Sequence, residues 1–353
     1  MSHRWLTTSD AVEWRAALPG ERNAFGSVEF AIVQGRQADA DARLLVVEAD
    51  CASVACPFLV RSLAALPFHA ELEAASHDAA SPPFTGPIVT PPQELAETAL
   101  ASIVAEIEAA LAGAGIVADF THMHPFAAER RLAPGLEPDR EIVWVDTTLD
   151  GQRLWRESYS KACRKNVKRA EREGVVVRAA QDEADVAEFH RIYTATMRRN
   201  EALESYFFDR DYFQAIFEGM PSAARFALAE HEGRVIAATL YLHDADDVYS
   251  YLGGADHSRQ QLRPTNAVVH DTVRWAREQG KRRLILGGGY RPGDGIMRFK
   301  SSFSPQRATL ELARRVHLER DYANLAAAWG AHHRAPADHD PGYFPAYRAG
   351  APR

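Results

Sequence analysis

Val248-Tyr249-Ser250-Tyr251-Leu252, followed by Ser258-Arg259-Gln260-Gln261-Leu262-Arg263-Pro264-Thr265-Asn266, decides the fold. The first run is a strand. Alternation places Tyr249 and Tyr251 on one face, where their hydroxyls either orient a polar substrate or cover the sheet. The second run is a loop entering a helix over 265–279, with Pro264 before its first turn and Gly280 at its end. A helix start after a strand is an anion site, because its first N–H groups lack partners. Gln260, Arg263 and Asn266 are therefore the candidate anion-loop residues.

Upstream, two more strands are expected at 224–230 and 234–242, so three strands precede the helix. Downstream, strand 283–286 runs into Gly287-Gly288-Gly289-Tyr290-Arg291-Pro292-Gly293-Asp294-Gly295-Ile296-Met297-Arg298-Phe299-Lys300-Ser301-Ser302-Phe303. A phosphate-binding loop of the Gly-Lys-Ser/Thr kind is excluded, because Phe299 precedes Lys300. Dense glycine before a short helix at 296–302 implies close backbone approach of a ligand. Lys300, between Phe299 and Phe303, is placed to stabilise an oxyanion or hold a phosphate, or else it snorkels to the surface.

A third feature lies further upstream. On a helical wheel over 159–172, Tyr159, Cys163, Val167 and Ala170 share a narrow arc. Lys161, Arg164, Lys165, Lys168, Arg169 and Arg172 fall opposite. One face packs, and the other offers six charges along roughly 16 Å. That is a surface for a phosphate backbone, or a solvated face. Lysine is scarce in this chain: the five are Lys161, Lys165, Lys168, Lys281 and Lys300.

The remainder fits an ordinary globular chain of 353 residues, 46% apolar and 25% charged. Its net charge of −7 is polarised. Residues 1–150 carry 9 Arg, no Lys and 22 acids, a net of −13, whereas 151–353 are net +6. Further helices are expected at 8–18, 93–112, 153–172, 183–200, 209–218 and 319–330. Further strands are expected at 43–49, 53–60, 115–121, 141–146, 175–179 and 307–314. The division expected is 1–150, 151–335 and a tail, 336–353, whose Tyr343, Phe344 and Tyr347 need something to pack on. Cys51, Cys56 and Cys163 read as reduced thiols. His122 and His124, and the tail cluster His332, His333 and His339, have no acid or cysteine at ligand spacing, so no metal is expected. No Gly-x-Ser-x-Gly elbow is present. No apolar segment follows Met1-Ser2-His3-Arg4-Trp5, and none reaches ~18 residues, so a cytoplasmic location is expected.

The strand, loop and helix at 247–280 resemble the GNAT layout, the fold of acetyl-coenzyme A transferases. That family's Arg/Gln-x-x-Gly-x-Gly/Ala turn is altered here: Gln260 opens the frame, but Arg263 and Thr265 stand at the glycines. Residues 155–330 further resemble the second domain of the Fem-type aminoacyltransferases, which build peptidoglycan bridges from aminoacyl-tRNA. The shared features follow in order: the basic helix from Ser158 or Ser160 to Ala170, Gly174, Tyr249-x-Tyr251, Pro264 and Asn266, Trp275-Ala276, Gly280, Asp294-Gly295, and Phe299-Lys300-x-x-Phe303. Ser304-Pro305 replaces the family's glycine, and no coiled-coil arm is inserted.

The resemblance implies an α+β fold of two tandem GNAT-like domains, each a mixed twisted sheet flanked by helices. It implies transfer of an aminoacyl group from aminoacyl-tRNA to an amine, on a peptidoglycan precursor or a small natural-product acceptor, with no cofactor. It implies Lys300 as catalytic, with Asp294 among the routes for the proton. It places Tyr249, Tyr251, Phe299, Arg198 and Tyr206 at the acceptor, and the basic helix on tRNA. The alternatives are an acyl-coenzyme A-dependent N-acyltransferase and a non-catalytic RNA- or metabolite-binding module.

Overall fold

The structure is a computed structural model that describes residues 1–50, 52–68, 72–289, 291, 293–334, 336 and 343–350. Cys51, Tyr290, Pro292 and His339 lie outside the described residues. The chain begins with β1 (Ser2–Thr7), α1 (Ala11–Ala17), α2 (Val28–Ala38), β2 (Asp41–Glu48), β3 (Ser53–Ser62), β4 (His77–Ala80), β5 (Ile88–Thr90), α3 (Glu97–Gly113) and β6 (Ile116–Met123). β7 (Leu136–Asp146) leads through short α4 (Gly151–Arg153) to α5 (Lys161–Arg172), β8 (Val176–Ala179), α6 (Glu183–Arg199) and α7 (Arg210–Gly219). Next come β9 (Ala224–His231), β10 (Arg234–His243), β11 (Asp247–Ala255), α8 (Pro264–Glu278), β12 (Arg283–Gly287), α9 (Gly295–Ser301), β13 (Arg307–Val316) and α10 (Glu319–His333).

These elements form two compact units. One is Met1–Pro19, Phe25–Asp139 and Leu310–Arg353; the other is Gly20–Ala24 and Arg140–Thr309. The first has the strand order β1-β2-β3-β4-β6-β13, with β5 on β3. Its pairings are antiparallel except β4 with β6. The second has the order β8-β9-β10-β11-β12-β7, antiparallel except β11 with β12. The two units thus repeat one six-strand plan, with the parallel pair in the same place.

The expected boundaries at 150 and 335 are corrected by the sixth strand of each unit. Most of β7, which follows β6 in sequence, completes the second sheet. β13, which follows β12 and α9, completes the first, and α10 and the tail go with it. The tail is not separate. Tyr347 is buried against Tyr322, and Trp329 Nε1 donates to Ala349 O at 3.0 Å.

Strand alternation supplies each unit with two cores. In β2, Leu44 and Val46 pack with Trp14, Leu18 and Val28 of the α1–α2 side. Leu45 and Val47 pack with Ile103, Ile107 and Leu111 of α3. In the second unit Cys163, Val167 and Ala170 of α5 meet Val268, Val273 and Ala276 of α8 over Ala227 and Tyr241. Phe226, the neighbour of Ala227, instead meets Phe189 of α6. The long helix expected at 153–172 is broken. A π-helical turn, Leu154–Ser158, ends at extended Tyr159, and Ser160 caps α5 by accepting from Cys163 N.

Candidate functional site

The parallel pair β11–β12 holds together only briefly. Its register is Asp247↔Arg283, Val248↔Leu284 and Tyr249↔Ile285. Beyond Tyr249, β11 continues against β10 alone, and Gly287 of β12 pairs with Val143 of β7. The strands part at their carboxyl ends, the end of a parallel pair where α/β proteins bind ligands. Lys300 lies against the β12 side of this opening. Its Nζ donates to Gly288 O at 2.7 Å, and among the described residues no other protein acceptor is found for it. An ammonium has three N–H groups, so two remain to meet a ligand. Burial pushes the Lys300 pKa down to about 8, against the opposing charge of Asp294.

The glycines here serve the protein's own groups. Gly287 has φ +78°, and a Cβ on it would stand 3.3 Å from Lys300 Nζ. A Cβ on Gly289 would stand 2.5 Å from Asp294 Oδ1. Within the protein, Lys300 and Asp294 make the close approach that these glycines allow. Asp294 caps α9: its Oδ1 accepts from Met297 N at 2.7 Å and its Oδ2 from Arg291 N at 3.1 Å. The carboxylate therefore holds the loop that presents Gly288 O to Lys300.

The two tyrosines do not act as a pair. β10–β11 pairing shifts between Leu240 and Tyr241, with Leu240↔Leu252 but Tyr241↔Ser250, which leaves Tyr251 as the extra residue of a bulge. Tyr251 OH hydrogen-bonds Tyr212 OH at 2.8 Å and is partly exposed. Tyr249 is 1% exposed, and its hydroxyl donates to Asp244 Oδ2 at 2.8 Å. Burial drives its pKa well up. The acceptor role expected of Tyr249 is thus corrected to a structural one: no acceptor reaches it. Tyr249→Phe removes a hydrogen bond to a buried carboxylate and is expected to cost about 1.5–3 kcal/mol of stability. Chemical denaturation measures that loss, and the KM for the acceptor stays unchanged; a raised KM would restore Tyr249 to the site.

The other expected acceptor residues are dispersed. Phe299 is half-buried, packs on the core and meets Phe303 edge-on at 5.4 Å between centroids. Arg198, in the last turn of α6, is exposed. Tyr206 is 38% exposed, and its backbone O accepts from Tyr193 OH at 2.7 Å.

The basic helix is confirmed in part. Lys161, Lys165, Lys168 and Arg172 are exposed. Arg164 is not on that surface. Its Nη1 donates to the carbonyls of Trp155 (3.2 Å), Arg156 (3.3 Å) and Tyr159, closing the π-helical turn. Arg169 Nε lies 3.8 Å from Glu173, which also reaches Arg172 at 3.5 Å. Lys168 Nζ stands 5.9 Å from the centre of the Trp155 ring. The helix is joined to α9: Ser160 N donates to Ser302 O at 2.8 Å. The start of the lysine face thus abuts the helix that carries Lys300, a junction that no sequence motif marks.

The expected anion loop offers few donors. Pro264, the first residue of α8, has no N–H. Arg263 N donates to Gln260 O at 3.0 Å and Asn266 N to Arg263 O at 3.1 Å. Gln260 and Arg263 are exposed, and buried Asn266 Nδ2 has no partner among the described residues. A coenzyme A diphosphate takes consecutive free N–H groups; here Pro264 has none, and those of Arg263 and Asn266 are already paired.

The family described as "Acetyltransferase (GNAT) domain" matches residues 157–301, from the turn before α5 to the end of α9. The structure of FemX is similar over 92% of this chain and 99% of its own, with a TM-score of 0.70 and 13% identity. The chain has the Fem-type double GNAT fold. The C-terminal domain of a putative lysylphosphatidylglycerol synthetase from Agrobacterium fabrum is similar over 90% of this chain and 95% of its own (TM-score 0.55, 16% identity). So is a protein of unknown function from Bacteroides thetaiotaomicron, over 89% and 99% (TM-score 0.55, 12% identity). No curated protein matches in sequence. Within the Fem-type fold, the stretch that carries the GNAT acyltransferase match holds the lysine face, the opening between β11 and β12, and Lys300. No helix among the described residues is long and apolar enough to cross a membrane.

Proposed function

We propose that the protein is an aminoacyltransferase that moves an aminoacyl group from aminoacyl-tRNA to the amine of a peptidoglycan precursor or a small molecule. The observation that carries this reading is the junction of α5 with α9, which puts an exposed cationic face beside the helix of Lys300. A polyanionic donor laid on Lys161, Lys165, Lys168 and Arg172 brings its reactive end toward that lysine. The Fem-type fold and the poor diphosphate loop support the same reading.

The ester of aminoacyl-tRNA is already activated. The acceptor nitrogen attacks the ester carbonyl, a C–N bond forms, and the carbonyl electron pair moves to oxygen. Lys300 donates N–H to that oxyanion, worth about 3–4 kcal/mol by comparison with oxyanion-hole donors. Collapse breaks the C–O bond to the ribose, and the proton lost by the amine returns to the ribose oxygen. Holding both reactants in line supplies up to about 7–11 kcal/mol more. Asp294, committed to capping α9, enters as the residue that positions Lys300.

The acetyltransferase family match favours a second reading, acyl-coenzyme A-dependent N-acylation. One experiment separates them. Purified protein is given labelled aminoacyl-tRNA and candidate amines, with and without ribonuclease or coenzyme A. The expected result is amide formation abolished by ribonuclease and unaffected by millimolar coenzyme A. Transfer that survives ribonuclease and is inhibited by coenzyme A refutes the tRNA reading.

A further inference from the structure

Far along α8 from the opening lies a separate cavity. The opening sits where β11 and β12 part, near the carboxyl end of β12. The cavity lies towards the other ends of these strands, where His243 pairs with Val248 at the start of β11. Trp275, in its wall, is roughly 14 Å along the α8 axis from Asn266. The cavity measures about 500 Å³ and is lined by Phe217, Phe226, Trp275, Arg225, His243 and Glu218, among others. That is the size and the aromatic character of small-molecule sites. It belongs wholly to the second unit.

Its polar groups are few and specific. Arg225 is 14% exposed, and its guanidinium carbon lies 4.9 Å from the centre of the Trp275 ring. Its Nη2 donates to Asp271 Oδ2 at 2.8 Å, whereas its buried Nε has no partner among the described residues. His243 meets Trp275 in a T-shaped contact at 5.0 Å. No side-chain hydrogen bond is found for the His243 imidazole among the described residues. Burial, with Lys281 and Arg225 nearby, pushes its pKa down to about 4, so it presents one N–H and one lone pair at neutral pH. Exposed Glu218 and the Arg225-bound Asp271 are the opposing charges. Arg225 and the N–H of a neutral imidazole beside a flat indole suit an anion with a planar apolar body.

We propose that this cavity binds a small carboxylic acid, with Arg225 and His243 holding the carboxylate and Trp275 and Phe217 the planar body. It is a second site, independent of the transfer reaction. Benzoate is the probe. The full-length protein is titrated with benzoate, and the indole N–H resonance of Trp275, assigned with Trp275→Phe, is followed by NMR. The expected result is a saturable shift that Arg225→Gln weakens by about fivefold or more and that benzamide does not reproduce. Glu218→Gln, an exposed change that leaves the fold alone, is expected to tighten benzoate about twofold by removing a like charge at the rim. A Trp275 resonance that does not saturate by about 20 mM benzoate overturns the proposal. Benzamide binding as tightly as benzoate overturns it too, because the anion is then not what is recognised. Should Arg225→Gln fail to fold, the Glu218→Gln ratio decides, and an unchanged affinity there counts against the site.

Discussion

Lys300→Ala is expected to lower the rate of aminoacyl transfer about 10²- to 10³-fold, with tRNA affinity little changed, because one preorganised oxyanion donor is lost. The arrangement that makes Lys300 useful is its anchorage on Gly288 O, with two N–H groups that meet no acceptor among the described residues. The same burial sets a pH signature. The folded pKa is lowered to about 8, so the cation is present at neutral pH and is lost as the pH rises through that value. If the cation is what acts, turnover falls across pH 8 in the native enzyme. Lys300→Arg remains charged throughout, so its alkaline fall disappears even if its rate is lower. Single-turnover rates against pH in both proteins check this. A native rate that instead rises through pH 8, with no such rise in the arginine variant, would make Lys300 a base and sink the oxyanion assignment.

Replacing Lys161, Lys165, Lys168 and Arg172 together by Gln is expected to abolish most of the salt dependence of tRNA binding. Four phosphate contacts at about 0.7–0.9 each give a log–log slope near −3 to −4, so affinity falls roughly 50- to 150-fold between 50 and 200 mM salt. The variant binds weakly and with a slope near zero. Filter binding of aminoacyl-tRNA across a salt series measures both. Arg164→Gln is the contrasting control. It leaves the slope unchanged but destabilises the turn before α5, whose carbonyls Arg164 holds. A native slope near zero means that the lysine face meets no phosphates.

Much of the second unit was legible because its elements are strongly periodic and well punctuated. Pro264 and Gly280 bound α8, and the buried arc Cys163, Val167 and Ala170 was read correctly from the wheel. The first unit was less legible. β1, α2, β4 and β5 were not anticipated. In α2 the apolar run Phe30-Ala31-Ile32-Val33 does not distinguish helix from strand by period, and β4 and β5 are four and three residues long. At the site, Lys300 was singled out by its aromatic neighbours and chiefly by the family resemblance, but its partner is a backbone carbonyl, which residue identity does not encode. Alternation misjudged Tyr249 and Tyr251 because the bulge at Tyr251 and the buried Asp244 are tertiary features. The wheel counted Arg164 as surface because it cannot see that a preceding turn needs a donor.

The exchange of sixth strands has a consequence for how the chain comes into being. During synthesis the first 139 residues emerge with β1 to β6, six strands of their sheet, and none of β13. The missing contact joins residues as distant as Asp119 and Arg315, 196 positions apart, so it closes a very long loop, at an entropic cost that rises with the logarithm of the length. Until it closes, the β6 edge stands open and buried Asp119 lacks both Arg315 and His317. A nascent chain halted before residue 307 therefore carries an exposed strand edge and an unneutralised carboxylate. The first unit to leave the ribosome is the last to be completed.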